Sequence, residues 1–261
     1  VIVTTGFHPS EQTRRHAEEL AAQLSAPLVE RRQDSLHKLR QKHREEAVLV
    51  VTAEGAKLEI PGRQPFFFHP NTAAFRIKRL ERGDTDTMLA ACQIQPGDRV
   101  LDATLGLGAD AIVFAHAVGP QGRVLGVESE KLIALLVADG LRHWQTDSAP
   151  LRNAMRRVEV RCGDHVEVLR AQPDDSFDIV YFDPMFEITV AASKGIAGIR
   201  EYANAAALRD EAVSEALRVA KRRVVLKEGR NGRQYERFGF TPVRKRGQHV
   251  VYSYKETGGG E

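Results

Sequence analysis

Four acids stand where short apolar runs end. Asp102 closes the run from Arg99, Glu128 closes the run from Arg123, and Asp183 closes Phe177–Phe182. Asp164 follows the run Val158–Arg161 across Cys162 and Gly163. An ionised carboxylate only accepts hydrogen bonds, so such a set suits hydroxyls, amines and cations. After Asp102 the chain reads Ala103–Thr104–Leu105–Gly106–Leu107–Gly108, then turns helical from Ala109. Strand, tight turn and helix in that order hold a nucleotide-like ligand in parallel α/β sheets. Gly106 and Gly108 admit backbone geometry and a close ligand approach that a Cβ would obstruct. Glu128, at the end of the next strand, can accept from both hydroxyls of a ribose, and its place at the strand end favours it over Glu130. Asp164 lies where an acid can accept from an adenine amine, and a turn role is open to it as well.

The run Asp183–Pro184–Met185–Phe186 has a chemistry of its own. Pro184 removes one backbone donor and restrains the turn. The Asp183 carboxylate and the Pro184 carbonyl then offer two acceptors to one amine. Phe186 offers a plane on which a ring can stack.

The elements that position these residues follow from local pattern. Strands are expected at Arg99–Leu101, Arg123–Val127, Val158–Arg161, Phe177–Phe182 and within Arg222–Lys227. Helices are expected from Ala109 to Ala117, from Ser129–Glu130 to about Leu141, and from Ala205 to Ala220. The unbroken apolar run of Phe177–Phe182 suits a sheet covered on both faces. Ahead of this block, Val1–Thr4 reads as a strand, Ser10 as the cap of a helix Glu11–Leu24, and Leu28–Val29 as the start of another strand. Ala47–Thr52 and Ala56–Ile60 read as a hairpin. Three aromatics, Phe66–Phe68, precede a turn and a basic helix, Thr72 to about Leu80. This stretch reads either as a buried hinge or as a cleft edge lined by His69, Asn71 and Arg76. Met88–Ile94 reads as the end of a helix. His143–Met155 reads as loop or short helix, Ser193–Gly198 as a loop over the cleft, and Tyr235–Phe240 and His249–Tyr254 as the closing elements. The expected organisation is an α/β appendage over 1–65, a linker and helical edge over 66–95, and a ligand-binding domain over 96–261.

Composition narrows the class. The 261 residues are 42% hydrophobic and 28% charged, ordinary for a globular protein. No apolar run approaches the roughly 18 residues of a membrane span. The first residues lack the pattern of a secretory leader. Two distant cysteines, Cys92 and Cys162, form no metal or disulfide framework, so a cytoplasmic location is expected and no metal. Net charge is only +3, yet Arg31–Arg44 carries six Lys or Arg against one acid, and Arg218–Arg246 carries eleven against two. Each cluster is either a solvated face or a nucleic-acid contact, and together they lean toward nucleic acid.

With these motifs in hand, the chain resembles the class I S-adenosylmethionine-dependent methyltransferases. It is similar in particular to the family that methylates guanine N2 in small-subunit ribosomal RNA, through Asp-Ala-Thr-Leu-Gly-Leu-Gly at 102–108 and Asp-Pro-Met-Phe at 183–186. The resemblance covers roughly residues 96–254. It departs at Glu187, where the nearest enzymes usually carry proline. It implies a Rossmann-like, mostly parallel sheet with helices on both faces, and S-adenosylmethionine as cofactor. Asp102, Thr104, Gly106, Gly108, Glu128, Ser129, Asp164 and Asp183 would then bind the cofactor. Asp102 and the glycines would surround its methionine part, Glu128 its ribose and Asp164 its adenine. Asp183, Pro184 and Phe186 would be catalytic, with Met185, Phe186, Lys227 and Arg230 on the substrate side. Lys227 and Arg230 are expected at RNA phosphates or in surface salt bridges. The implied partner is RNA, small-subunit rRNA or a ribosomal particle, with no membrane.

Two other readings stay open. Gly106, Gly108 and Ala111 nearly satisfy the dinucleotide fingerprint, which suits a nicotinamide-dependent oxidoreductase. A non-catalytic RNA-binding protein on a methyltransferase-like fold is the other.

Overall fold

The computed structural model describes residues 1–184, 208–229, 231–243 and 250–258. Two sheets organise them. The first contains β1 (Ile2–Thr5), β2 (Val48–Thr52), β3 (Gly55–Glu59) and β4 (Phe66–Phe67), in that spatial order. β1 and β2 are parallel, and β2, β3 and β4 run antiparallel in turn. Helix α1 (Glu11–Leu24) starts as its cap signal implies, with the Ser10 hydroxyl accepting from Thr13 N–H. The basic stretch folds as α2 (Leu36–His43) behind a Ser35 cap. Leu28 makes one isolated bridge to Val3 rather than starting a strand.

The second sheet has seven strands. They are β5 (Arg99–Asp102), β6 (Arg123–Glu128), β7 (Val158–Cys162), β8 (Phe177–Phe182), β9 (Ala220–Gly229), β10 (Thr241–Val243) and β11 (Val250–Glu256). Their order is β10-β11-β9-β8-β5-β6-β7. β5–β9 are parallel to one another, and β11 and then β10 close the edge antiparallel to their neighbours. This is the α/β, mostly parallel sheet expected from the strand-end motifs. The chain leaves β5 toward β6 on one side and returns to β8 on the other, so the carboxyl end of β5 is the switch point where such sheets bind ligands.

Both faces of this sheet are buried, and the period of two sorts its residues. Val100, Ile179, Tyr181 and Val225 join one core, whereas Leu101, Val180, Phe182, Val224 and Leu226 join the other. The first core is covered by α3 (Asn71–Leu80), α4 (Thr87–Cys92), α5 (Ala109–Val118), α6 (Lys131–His143) and α7 (Ala149–Arg157). The second is covered by α8 (His165–Arg170) and α9 (Asp210–Val219). The polar stretch after His143 thus contains a helix, started by Ser148 and Pro150. α9 begins later than the Ala205 expectation; Leu208 and Arg209 are non-helical, and 205–207 lie outside the described residues. Tyr235–Phe240 holds a short helix, α10 (Gln234–Arg237), because Glu228 accepts from the backbone N–H groups of Gln234 and Tyr235.

The first core does not stop at the N-terminal unit. Val3, Leu49, Leu58, Phe66 and Phe68 pack into the same apolar cluster as Val100, Phe114 and Val137. Phe66 and Phe68 are buried while Phe67 between them is exposed, the alternation of an extended chain lying on a core. Phe68 lies so close to α6 that a Cβ at Gly140 would stand 2.1 Å from its Cγ. Gly140 is therefore the notch that admits Phe68.

Candidate active site

The carboxyl ends of β5, β6, β7 and β8 bring Asp102, Glu128, Asp164 and Asp183 to one edge of the sheet. The loop after β5 is folded by its own short bonds. Ala103 N–H donates to the Tyr181 carbonyl, Thr104 N–H to the Asp102 carboxylate, and Leu105 N–H to the Val127 carbonyl. That last bond carries the loop across β6, which is possible because β6 has Gly126 there. A Cβ at Gly126 would stand 2.4 Å from Leu105 Cδ1. Gly108 has φ +74°, caps α5 and lies against Val137 and Leu105. Thr104 then reaches the next strand end, where its Oγ1 accepts from Asp183 N–H at 2.5 Å.

Glu128 is almost wholly buried and has no cationic partner among the described residues. Its Oε2 accepts from Gly106 N–H at 3.2 Å and its Oε1 from Glu130 N–H at 2.9 Å. Burial pushes its pKa up, and these N–H donors oppose that rise. Each oxygen retains a lone pair for a diol. Ser129, which follows, is exposed. Asp102 is 1% exposed; burial, and then the neighbouring Asp110, raise its pKa well above the carboxylate range.

Asp183 ends a chain of charges. Lys227 Nζ, on β9, donates to Asp183 Oδ2 at 2.6 Å and to Asp110 Oδ2 at 2.8 Å. Asp110, in the first turn of α5, also accepts from the Tyr181 hydroxyl at 2.8 Å and pairs with Arg76. Arg76, on α3, grips Asp86 with Nε and Nη2 at 2.7 and 2.8 Å, and Asp86 caps α4. Burial opposes charge at every member. It nevertheless loses to Lys227 and Arg76 at Asp110 and to Arg76 at Asp86, which both stay below the carboxylate range. Burial likewise opposes the charge of Lys227, and Asp110 and Asp183 outweigh it and raise the pKa well above its ordinary value. At Asp183 burial prevails, with Asp110 adding to the rise and Lys227 opposing it. Asp183 is also the open end: its side chain is 34% exposed, against 11% for Asp110 and 21% for Lys227. Asp86, Asp110 and Asp183 face two bases, Arg76 and Lys227, so the cluster favours a bound cation.

Several expected residues stand differently from their first reading. Of the two readings of Lys227, phosphate contact or salt bridge, the structure shows ion pairs, with Asp110 and Asp183, in the site rather than on the surface. Asp164 caps α8 and receives Arg209 on both oxygens at 2.5 and 2.6 Å. Oδ2 accepts from Arg209 alone and keeps a lone pair, so an adenine amine would share this carboxylate with Arg209. Arg76 joins the site, whereas His69 stacks edge-on with Trp144. Met185, Phe186, Arg230 and the loop Ser193–Gly198 lie outside the described residues. Asp110 and Tyr181 were missed. Asp110 reads locally as an ordinary first-turn acid. Tyr181 could have been found, because it stands two residues before Asp183 on the same face of β8.

The site fits S-adenosylmethionine on its own chemistry. Glu128 is a buried acid without a cationic partner among the described residues and could accept from a ribose diol. Gly106 and Gly108 place no side chain on the loop, and the acid excess would suit a ligand bearing a sulfonium and an ammonium. Fold and site together define a methyl-transferring enzyme, and comparison agrees. The SAM_MT family model of SAM-dependent methyltransferases matches residues 33–238, and the chain belongs to that family. It is a SAM-dependent methyltransferase, which sets aside the nicotinamide alternative.

Among individual proteins, the chain is 42% identical to the uncharacterized protein YpiP of Bacillus subtilis, over 98% of this chain and 99% of that one. It is 34% identical to ribosomal RNA small subunit methyltransferase J of Dechloromonas aromatica, over 70% and 77% of the two chains. It is 31% identical to the protein of the same name from Pseudomonas syringae, over 83% and 78%. The crystal structure of the SAM-dependent methyltransferase NGO1261 from Neisseria gonorrhoeae has the same fold, with TM-score 0.65 at 20% identity, over 100% of this chain and 98% of that one.

Proposed function

We propose that this chain methylates an exocyclic base amine, guanine N2 in small-subunit rRNA, with Asp183 as the residue that orients the amine. The observation that carries this reading is the open, Lys227-held Asp183 at the end of β8. Among the described residues only its Oδ2 is engaged, so Oδ1 is free to accept an amine hydrogen. The Pro184 carbonyl is the second acceptor, and Met185 and Phe186, which follow it in the sequence, are assigned to the base. S-adenosylmethionine supplies an electrophilic methyl group, and its transfer to nitrogen releases S-adenosylhomocysteine and one proton. Asp183 fixes the lone pair in line and takes up that proton, directly or through water. Alignment contributes much of the rate, because the guanine amine is a weak nucleophile. Lys227, Asp110 and Arg76 are positioning residues: they hold Asp183 in one orientation. The names of the relatives support an RNA substrate.

Charge distribution supports RNA through one of the two basic segments. Around α2, Lys42 and Arg44 are exposed with no ion pair among the described residues, while Arg32 pairs with Glu30 and Lys38 with Asp34. In the other segment, Arg218, Arg222, Arg223, Lys227 and Arg237 are taken up by acids of the chain itself. Among the described residues, described helices are too short or too polar to cross a membrane.

The test is mass mapping of methylated nucleosides in rRNA from cells with and without this protein. Loss of one N2-methylguanine from small-subunit rRNA, restored by the wild-type chain and not by Asp183→Ala, is the expected result. Unchanged rRNA guanine methylation, with a methyl mark lost elsewhere, would reject the substrate.

A further inference from the structure

Away from the sheet edge, α1 and α6 enclose a cavity of ≈ 140 Å³ with a polar lining. Its lining includes His16, Glu19 and Gln23 from α1 and Asp139, Arg142 and His143 from α6. His16 Nε2 lies 2.6 Å from Asp139 Oδ1, and His143 Nδ1 lies 2.9 Å from the same oxygen. The three ligand atoms all fall within 4.8 Å of one another. Asp139 is 8% exposed, a buried carboxylate whose described partners are these two imidazoles.

We propose that His16, Asp139 and His143 form a binding site for a divalent transition-metal ion of the Zn2+ kind, which ties α1 to α6. Asp139 and His143 are four residues apart on one helix, so both face the same side, and His16 meets them from the other unit. Two imidazoles and a carboxylate are a borderline ligand set, suited to zinc-like ions; calcium and magnesium ask for oxygen throughout. Zinc bonds of about 2.0–2.2 Å in a tetrahedron set ligand atoms roughly 3.4 Å apart. The present separations of 2.6 and 2.9 Å are those of hydrogen bonds, so a bound ion requires both imidazoles to draw back from Asp139 by under about 1 Å. Glu19, three residues after His16, lines the same cavity outside that three-residue group, so a water fills the fourth position. Arg142 opposes a cation electrostatically; its charge sits at the exposed rim. The methyl-transfer machinery uses none of these residues, so the inference stands apart from the proposed substrate.

The experiment is titration of the chelator-treated full chain with Co2+ and with Zn2+. Calorimetry gives stoichiometry, the visible spectrum of Co2+ gives coordination, and a melting curve reports stability. Expected are one tightly bound ion per chain, a tetrahedral cobalt spectrum and a higher Tm with metal. His143→Gln and His16→Gln should each weaken binding about 10–100-fold. His143 is exposed, so its variant folds, and unaltered S-adenosylmethionine binding serves as the control. Absence of stoichiometric binding by the folded wild-type chain overturns the site, as does binding that both variants leave unchanged.

Discussion

Asp183 reaches the cleft with its backbone pinned by Thr104 and one carboxylate oxygen held by Lys227. Replacing it by Ala should remove methyl transfer, by at least about 100-fold in kcat, and leave cofactor affinity nearly unchanged. Filter-bound methyl incorporation and calorimetry with S-adenosylhomocysteine separate the two effects. Lys227 acts through Asp183, and its signature is in the pH dependence. The ammonium holds the Asp183 pKa down against burial and Asp110. Lys227→Met removes that opposition, so the acid limb of kcat should move to higher pH while the wild-type limb lies lower. An unshifted limb in that variant would mean that Asp183 ionisation does not govern the rate. The four strand-end acids and both glycines were legible at this scale, because an apolar run ending in an acid is a local pattern. Asp110 was not, since nothing near it in the chain shows that Arg76 and Lys227 will arrive from 34 and 117 residues away.

Elements set the clearances on which the site depends. Gly126 lets the loop after β5 cross β6, and Gly126→Ala should push Leu105 outward and weaken cofactor binding. Adding Leu105→Ala to that variant should restore much of the affinity, measured by calorimetry; a double variant no better than the single one would place the cause elsewhere. Gly140→Ala should cost about 1–3 kcal/mol by driving Cβ into Phe68, read from denaturant unfolding. The start of a helix was legible at Ser10, where a cap residue stands after a turn; the Ser35 cap was not read from the sequence. Helix limits were not legible at Tyr235–Phe240, where the deciding acid, Glu228, belongs to the preceding strand.

At the scale of the whole molecule, one apolar core spans the four-stranded sheet and one face of the seven-stranded sheet. Thermal unfolding should therefore show a single transition shared by residues before and after Arg99. Two separated calorimetric transitions would contradict this. Arg76, paired with Asp86 on its own side and with Asp110 beyond Arg99, links the two parts of the chain electrostatically. Asp86 is held below the ordinary carboxylate range, so its contribution is present above the unfolded pKa and is lost as pH falls through the folded one. Stability should decline on acidification through that window, and Asp86→Asn should flatten the decline while lowering stability at neutral pH by about 3 kcal/mol. Urea unfolding at a series of pH values checks both. RNA contact belongs to this scale too: Lys42→Glu with Arg44→Glu should lower RNA affinity and flatten its salt dependence, leaving S-adenosylmethionine binding intact.

By itself the sequence determined the periods, caps and turns, and with them the α/β sheet, the switch point and the acids along its edge. These are decided among residues a few positions apart. Tertiary structure alone decided which charges neutralise one another. It chose ion pairing over phosphate contact for Lys227 and made it the clamp on Asp183, chose the cleft over the hinge for Arg76, and set His16 against Asp139 across 123 residues. The physical reason is that a charge is satisfied by whatever folding brings within about 3 Å, and distance along the chain carries no record of that.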